Sequence, residues 1–247
     1  SLKIGEDEWT QVIKGENLEA KIYKDIEELV RTKNNLIRAG TPNVRKNSSG
    51  YRLERVLKDE VMDLSKLLVS SEGTLGIVLE ARLRILDIPK HKALALIYFD
   101  SLEGAGKAVM NILKLEPSAL EIIDSKILNM AKNSYPDVVG EIPSYVKAVL
   151  LAEFDGSLKR NVSDKVIELK KLINSKKFAQ GVISYSDASG MKRIWGLRKK
   201  ALLFTYKVRR DDKRPVTFVE DTVVDPSRLG EYIHQLYQIY EKYNLET

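Results

Sequence analysis

At 247 residues the chain is long enough for one large domain or two modest ones, and 43% hydrophobic with 31% charged residues is the balance of an ordinary globular protein. The absence of cysteine excludes disulfides, thiolate catalysis and a cysteine-held iron–sulfur cluster within the chain, and the net charge of +6 is exceeded inside one segment, 192–214, where ten Lys and Arg meet only Asp211 and Asp212. The longest apolar runs, "ALALIYF" (93–99) and "AVLLAEF" (148–154), are too short to span a bilayer, and the polar opening "SLKIGEDEW" lacks the apolar core of a signal peptide, so a cytoplasmic setting is expected.

In chain order, Asp25 and Glu28 read as a capping box ahead of Ile26, Leu29 and Val30, which predicts a helix through about Leu36. "GTPNVRKNSSGYRL" (40–53) clusters Gly, Pro, Asn and Ser and is predicted as loop. Gly73, Thr74 and Gly76 then make a tight turn. After it, Leu79, Ala81, Leu83 and Ile85 alternate with Glu80, Arg82 and Arg84, the period of a strand with one buried face. Pro89 closes this part. A boundary between residues 87 and 92 gives domains 1–89 and 90–247.

The second domain mixes strands and helices. "ALALIYF" is a strand, and Asp100 to Glu103 forms a capping box for a helix carrying Leu102, Ala105, Val109, Ile112 and Leu113. Ser118 to Glu121 caps a further helix by the same pattern. The strand "AVLLAEF", a helix from about Leu158 to Lys176, the strand "GVISYS" (181–186) and a helix through Trp195 follow. "VTFVEDTVV" (216–224) is a strand, and Asp225-Pro226 opens the closing helix. This order predicts an α+β fold with an antiparallel sheet covered by helices on one face, in the ferredoxin-like manner.

Three features bear on function. The glycine turn leads into a strand with no following lysine, unlike the P-loop and Rossmann turns, which lead into helices. Its spacing fits both a plain hairpin and a backbone that approaches a ligand closely. The basic segment 192–214 suits an anionic partner or a solvated surface, and Trp195, Phe204 and Tyr206 interleave with its charges as in single-stranded nucleic-acid modules. Glu220 and Asp221 are strand neighbours whose side chains point to opposite faces, so they form no carboxylate dyad; each suits a salt bridge or a cavity lining. The two histidines, His91 and His234, are too few and too scattered for a metal site, and none is expected.

The wording adds more. "SSEGTLGIVLEARLRIL" (70–86) resembles the G-S-E-G-T-L-G-I-I-T-E-A segment of FAD-linked oxidases of the vanillyl-alcohol oxidase type. "RKNSSGYRL" (45–53) is similar to the N-x-G-Y-x-L loop of that family, "IWGLRKKAL" (194–202) to its W-x-x-R segment, and "RPVTFVEDTVVDPSRLGEYI" (214–233) to the strand and helix after it. Within the family the chain most resembles the branch of glycolate oxidase flavoprotein subunits and D-lactate dehydrogenases. It departs from the family in having Ser70 where glycine is usual. No P-G-G-G-T-type pyrophosphate loop, T-x-G-G segment or H-A-G-D-G-N-x-H segment is found.

The resemblance implies part of an FAD-binding domain followed by most of a substrate (cap) domain. It implies FAD as cofactor, contacted by Glu72, Gly73, Thr74, Leu75, Gly76, Ile77 and Val78. It implies oxidation of a small 2-hydroxy acid of the glycolate or D-lactate type, with electrons passed to an iron–sulfur partner subunit or a quinone. No DNA partner is expected, and any membrane association would be peripheral, through a partner. This piece by itself is expected to hold FAD poorly and to be inactive, with the catalytic base outside it. Arg198 falls with Met191, Trp195 and Leu202 on one helical stripe. An arginine on an inward stripe must snorkel, stack on Trp195 or meet an anion. The W-x-x-R resemblance implies that Arg198 binds the substrate carboxylate.

Overall fold

The structure is a computed structural model that describes residues 3–44, 46, 47, 49–207 and 222–245. It divides into two compact units, Ser1–Ile85 and Leu86–Thr247. In the first, a short strand β1 (Lys3–Ile4) leads into helices α1 (Glu6–Val12), α2 (Leu18–Thr32) and α3 (Asn34–Gly40). Helix α2 starts earlier than the Asp25 capping box implied. Asn17 caps it, accepting from the Ala20 amide at 2.8 Å, while Asp25 lies mid-helix and exposed. An Asp-x-x-Glu pattern is also what a solvated helix face looks like, and here it is one.

Strands β2 (Leu57–Lys58) and β3 (Val61–Asp63) pair with β1 in the order β1-β3-β2, and α4 (Ser65–Leu68) follows. Trp9, Tyr23, Val56, Met62 and Leu67 form the core of this unit. Residues 76–89 form neither helix nor strand, although their alternation predicted a strand at 79–85. Leu79 is 93% exposed and Ile85 88%. A strand exists through ladder bonds to a neighbour, and no described strand pairs with this segment.

The second unit is built on β4 (His91–Phe99), β5 (Ala119–Asp124), β6 (Ala148–Gly156) and β7 (Gly181–Tyr185). All neighbours are antiparallel, in the order β5-β6-β4-β7. Helix α5 (Leu102–Leu113) connects β4 to β5; α6 (Ser125–Ala131) and α7 (Pro136–Gly140) connect β5 to β6; α8 (Lys159–Lys176) connects β6 to β7. Helices α9 (Ala188–Lys207) and α10 (Leu229–Lys242) complete the unit.

Two expectations are corrected here. Ser118 to Glu121 caps no helix: Ser118 gives its amide and hydroxyl to the Glu153 carbonyl, at 2.8 and 3.1 Å, and Ala119–Asp124 runs as an edge strand. The helix that follows is capped by Asp124, which accepts from the Ile127 amide. Helices also cover both faces of the sheet, not one. Ala95, Ile97, Phe99, Leu150 and Phe154 pack with α5 and α8. Leu94, Leu96, Tyr98, Val149 and Leu151 pack with α6, α7 and α9. The reason is in the strands: β4 and β6 are apolar at successive positions, and such runs require cover on both sides. The predicted strand 216–224 lies outside the described residues up to Asp221, and Thr222–Val224 form no strand.

The closing helix α10 sits on α5 where two glycines meet. A Cβ on Gly106 would come within 3.1 Å of the Gly230 Cα, so the helix backbones touch there.

Candidate functional site

The glycine turn has the backbone of a strained loop. Ser70 (φ 72°), Glu72 (φ 50°) and Gly73 (φ 79°) all lie in the left-handed region. Ser70, where the resemblance expects glycine, therefore adopts a conformation that glycine favours. The Thr74 amide closes the turn on the Ser71 carbonyl at 2.9 Å, and the Thr74 hydroxyl donates to the same carbonyl at 2.6 Å. Tyr51, from the N-x-G-Y-like loop, meets that hydroxyl at 2.9 Å. Two of the resembling segments are thus in contact.

Glu72 through Val78 are all exposed. A Cβ at Gly73 or at Gly76 would meet no atom within 4 Å. Gly73 is explained by its φ. Gly76 is required neither by its φ nor by a neighbour in the described chain. These residues fit a group that approaches the backbone closely and is held by amides, as the phosphates or ribose of a dinucleotide would be. With the Thr74 proton on Ser71, the Tyr51 hydroxyl is the donor in their contact.

The second site lies on the sheet face covered by α9. The buried stripe of that helix is Ile194, Leu197 and Phe204, one step round from the predicted stripe, so Trp195 and Arg198 stand on its flank, half-buried. Arg198 neither snorkels free nor stacks on Trp195. Its Nε donates to Oε2 of Glu121 on β5 at 2.7 Å, and its Nη2 lies 2.7 Å from the same oxygen. Both side chains keep over a third of their surface exposed, 40% for Arg198 and 36% for Glu121.

Glu121 pairs across the ladder with Leu151, and Ala119 with Glu153, so the two acids share this face of the sheet. Glu153 is 8% exposed, and both of its oxygens are engaged. Lys92 lies 2.9 Å from Oε1, and the Trp195 indole donates to Oε2 at 2.8 Å. A buried carboxylate held in this way has no unmet bond. Trp195 and Arg198, one turn apart on α9, are therefore each tied to a different acid of the sheet. Glu121, Glu153 and Lys92 were not singled out from the sequence, although a lone acid within the apolar run 148–154 was a usable signal.

Further along this face, the Tyr185 hydroxyl donates to Glu141, and Arg193 lies 3.8 Å from the same acid. Burial, and then the bond to Glu141, push the Tyr185 phenol well above its ordinary range. Tyr98 is 4% exposed, and among the described residues its hydroxyl has no hydrogen-bond partner. Burial, with the Glu141 charge behind it, pushes its pKa up to about 12.

The nucleic-acid alternative loses two of its three aromatics. Phe204 is buried against Tyr135, and Trp195 is committed to Glu153. The side chain of Tyr206, residues 208–214 of the basic segment, and Glu220 and Asp221 lie outside the described residues. His91 begins β4, and His234 on α10 meets Glu103 at 3.3 Å. His234, Ser101, Asp124, Lys147 and Tyr237 line a cavity of about 290 Å³ at the end of β5 away from Ala119. Among the described residues no group of three or more acids and histidines could hold a metal ion, and no helix is long and apolar enough to cross a membrane.

Comparison with known proteins gives a consistent result. Residues 88–247 match the family model described as "FAD linked oxidases, C-terminal domain". D-2-hydroxyglutarate dehydrogenases from Pantoea ananatis and Escherichia coli are 31% and 30% identical over 242 and 240 residues. These alignments cover 92% and 91% of the chain but 23% of each relative. The glycolate oxidase subunit GlcD of Bacillus subtilis is 28% identical over 88% of the chain and 42% of its own length. The chain thus spans less than half the length of these curated relatives.

Proposed function

Because the chain belongs to the FAD-linked oxidases, whose C-terminal domain its residues 88–247 match, we propose that it forms part of a flavoprotein that oxidises a small 2-hydroxy acid. The names of its relatives, which act on D-2-hydroxyglutarate, glycolate or D-lactate, support that substrate class. FAD, when held on the backbone of Glu72–Val78, would supply the acceptor for the hydride on the carbon bearing the hydroxyl, with an iron–sulfur partner subunit or a quinone as the final destination of the electrons. The chain's own part is to position the two reactants.

Residues 1–89 act as part of the FAD-binding domain, and the exposed backbone of Glu72–Val78 is their contact with the cofactor. Residues 90–247 act as the substrate domain. Two β-α-β crossovers, each passing over one intervening strand, support reading it as ferredoxin-like. The protein works in the cytoplasm, and meets a membrane only through its partner.

The observation that carries this reading is Arg198. It is a half-buried guanidinium on a helix flank, secured by one acid along one edge, in the segment that resembles the family's W-x-x-R. A guanidinium grips a carboxylate with two parallel hydrogen bonds, fixing both the charge and the orientation of a 2-hydroxy acid. Lysine supplies charge without the fork. In the FAD-loaded full-length protein, Arg198→Lys should lower kcat/KM by about tenfold or more, roughly 1.4 kcal/mol of transition-state binding. Steady-state kinetics on glycolate, D-lactate and D-2-hydroxyglutarate check this. Unchanged kinetics on all three would leave Arg198 a packing residue and remove the reading's main support.

A further inference from the structure

An arginine has two edges that can hold a carboxylate, the side edge formed by Nε and Nη2 and the end edge formed by Nη1 and Nη2. In Arg198 the side edge is taken. Nε and Nη2 both lie 2.7 Å from a single oxygen, Oε2 of Glu121. Among the described residues Nη1 has no partner. We propose that Glu121 is a positioning residue that turns the end edge of Arg198 toward the acid group of the substrate; this rests on the reading of Arg198 as the carboxylate anchor.

Two features of the fold favour this role over an ordinary surface ion pair. Glu121 stands on a strand, whose backbone is fixed by ladder bonds to β6, with Glu121 opposite Leu151. Arg198 stands on a helix whose preceding turn is tied to the same sheet through Trp195 and Glu153. Both ends of the contact are therefore set by elements, not by loops, and a group held by two rigid elements keeps its direction. The chemistry also fits. A substrate carboxylate arriving at the end edge makes two parallel bonds and leaves the side edge untouched, so it has no need to displace Glu121. Glu121 fixes the plane of the guanidinium, and the plane fixes where the carbon bearing the hydroxyl sits. Without Glu121 the guanidinium turns about its own side-chain bonds, and the cost falls first on binding of the carboxylate and only secondarily on alignment.

The contact uses one oxygen only, so an amide should serve nearly as well as a carboxylate. Substrate kinetics of Glu121→Ala, Glu121→Gln and Glu121→Asp, measured in the FAD-loaded full-length protein beside Arg198→Lys, test the idea. Glu121→Ala should raise KM for the hydroxy acid by about tenfold, with kcat changed much less. Glu121→Gln, which keeps an acceptor at the same reach, should recover most of that loss. Glu121→Asp, one methylene shorter, should not.

Binding of propanoate, a carboxylate that cannot be oxidised, should weaken in the same order when followed by calorimetry. If Glu121→Ala does not fold, the contrast between Gln and Asp decides the matter alone. A KM that is unmoved or lower in Glu121→Ala, or Gln as impaired as Asp, would overturn the proposal. Loss on Arg198→Lys with no loss on Glu121→Ala refutes the positioning role and spares the anchor. No loss on either refutes both.

Discussion

The two central strands of the larger sheet and the segment 76–89 have similar apolar content and opposite fates. β4 and β6 bury Leu94, Ile97, Leu150 and Leu151 to 1% exposure or less. Leu79, Leu83 and Ile85, with strand-like alternation of their own, and Ile88 after them stay 79–93% exposed. What separates them is the neighbour. β4 is paired on both edges, by β6 and β7, and covered on both faces by helices. Segment 76–89 has no ladder partner among the described residues. Apolar side chains supply the driving force for burial, but a strand forms only where another backbone meets its bonds.

Four substitutions would break or sharpen that contrast. The largest effect is expected at Phe154, fully buried on the face packed by α5 and α8. Phe154→Ala should cost about 3–5 kcal/mol in urea unfolding, since the cavity adds to the lost transfer energy. A loss below about 1 kcal/mol would show a core looser than described.

Next is Tyr98, on the opposite face of the sheet, whose buried hydroxyl has no hydrogen-bond partner among the described residues. Its phenol has an ordinary pKa near 10, held up to about 12 in the folded protein. The unfolded chain therefore ionises first. This contribution to stability is complete below pH 10 and is lost as pH rises from about 10 to 12, on the order of 2 kcal/mol. Tyr98→Phe should flatten that part of the stability–pH curve, and should cost nothing at pH 7, because it removes an unmet polar group. An unchanged slope between pH 10 and 12 would contradict the burial of the hydroxyl.

In the N-terminal unit, Ser70→Gly should stabilise the turn by about 1 kcal/mol, by relieving a left-handed serine. Slower exchange of the Thr74 amide, bonded to Ser71, is the measurement. Smallest of all, Leu83→Ser should move stability by less than about 0.5 kcal/mol, because its side chain touches solvent in the described chain. A loss of 2 kcal/mol there, in thermal unfolding, would reveal a packing partner for the segment.

How much of this was legible in the sequence depends on how local each signal was. Helix α8 and strands β4, β6 and β7 followed from runs and periods within a dozen residues. β5 did not, because Ser118-x-x-Glu121 satisfies a helix cap and an edge strand equally, and only the pairing with β6 decides between them. The double cover of the sheet was written in "ALALIYF" and "AVLLAEF", whose lack of alternation is the mark of a strand buried on both sides. The candidate site divides in the same way. Arg198 could be picked out from its own helix and the W-x-x-R resemblance. Its partner Glu121 stands 77 residues away, and no local pattern carries a contact at that distance.

Glu153 has a consequence for how the sheet avoids assembling wrongly. Two strands that are apolar on both faces could slide past one another and still bury oil against oil, so their hydrophobicity does not specify their alignment. The lone acid does. A slip of β6 by one residue would turn Glu153 onto the face lined by Phe99 and Ile97, where an unpaired charge is costly. A slip by two would carry it about 7 Å along the strand, out of reach of the indole of Trp195. Only the observed alignment, with Glu153 opposite Leu94 and Ala119, lets Lys92 and Trp195 reach it together. One carboxylate thus acts as the key that admits a single setting of an otherwise featureless pair of strands.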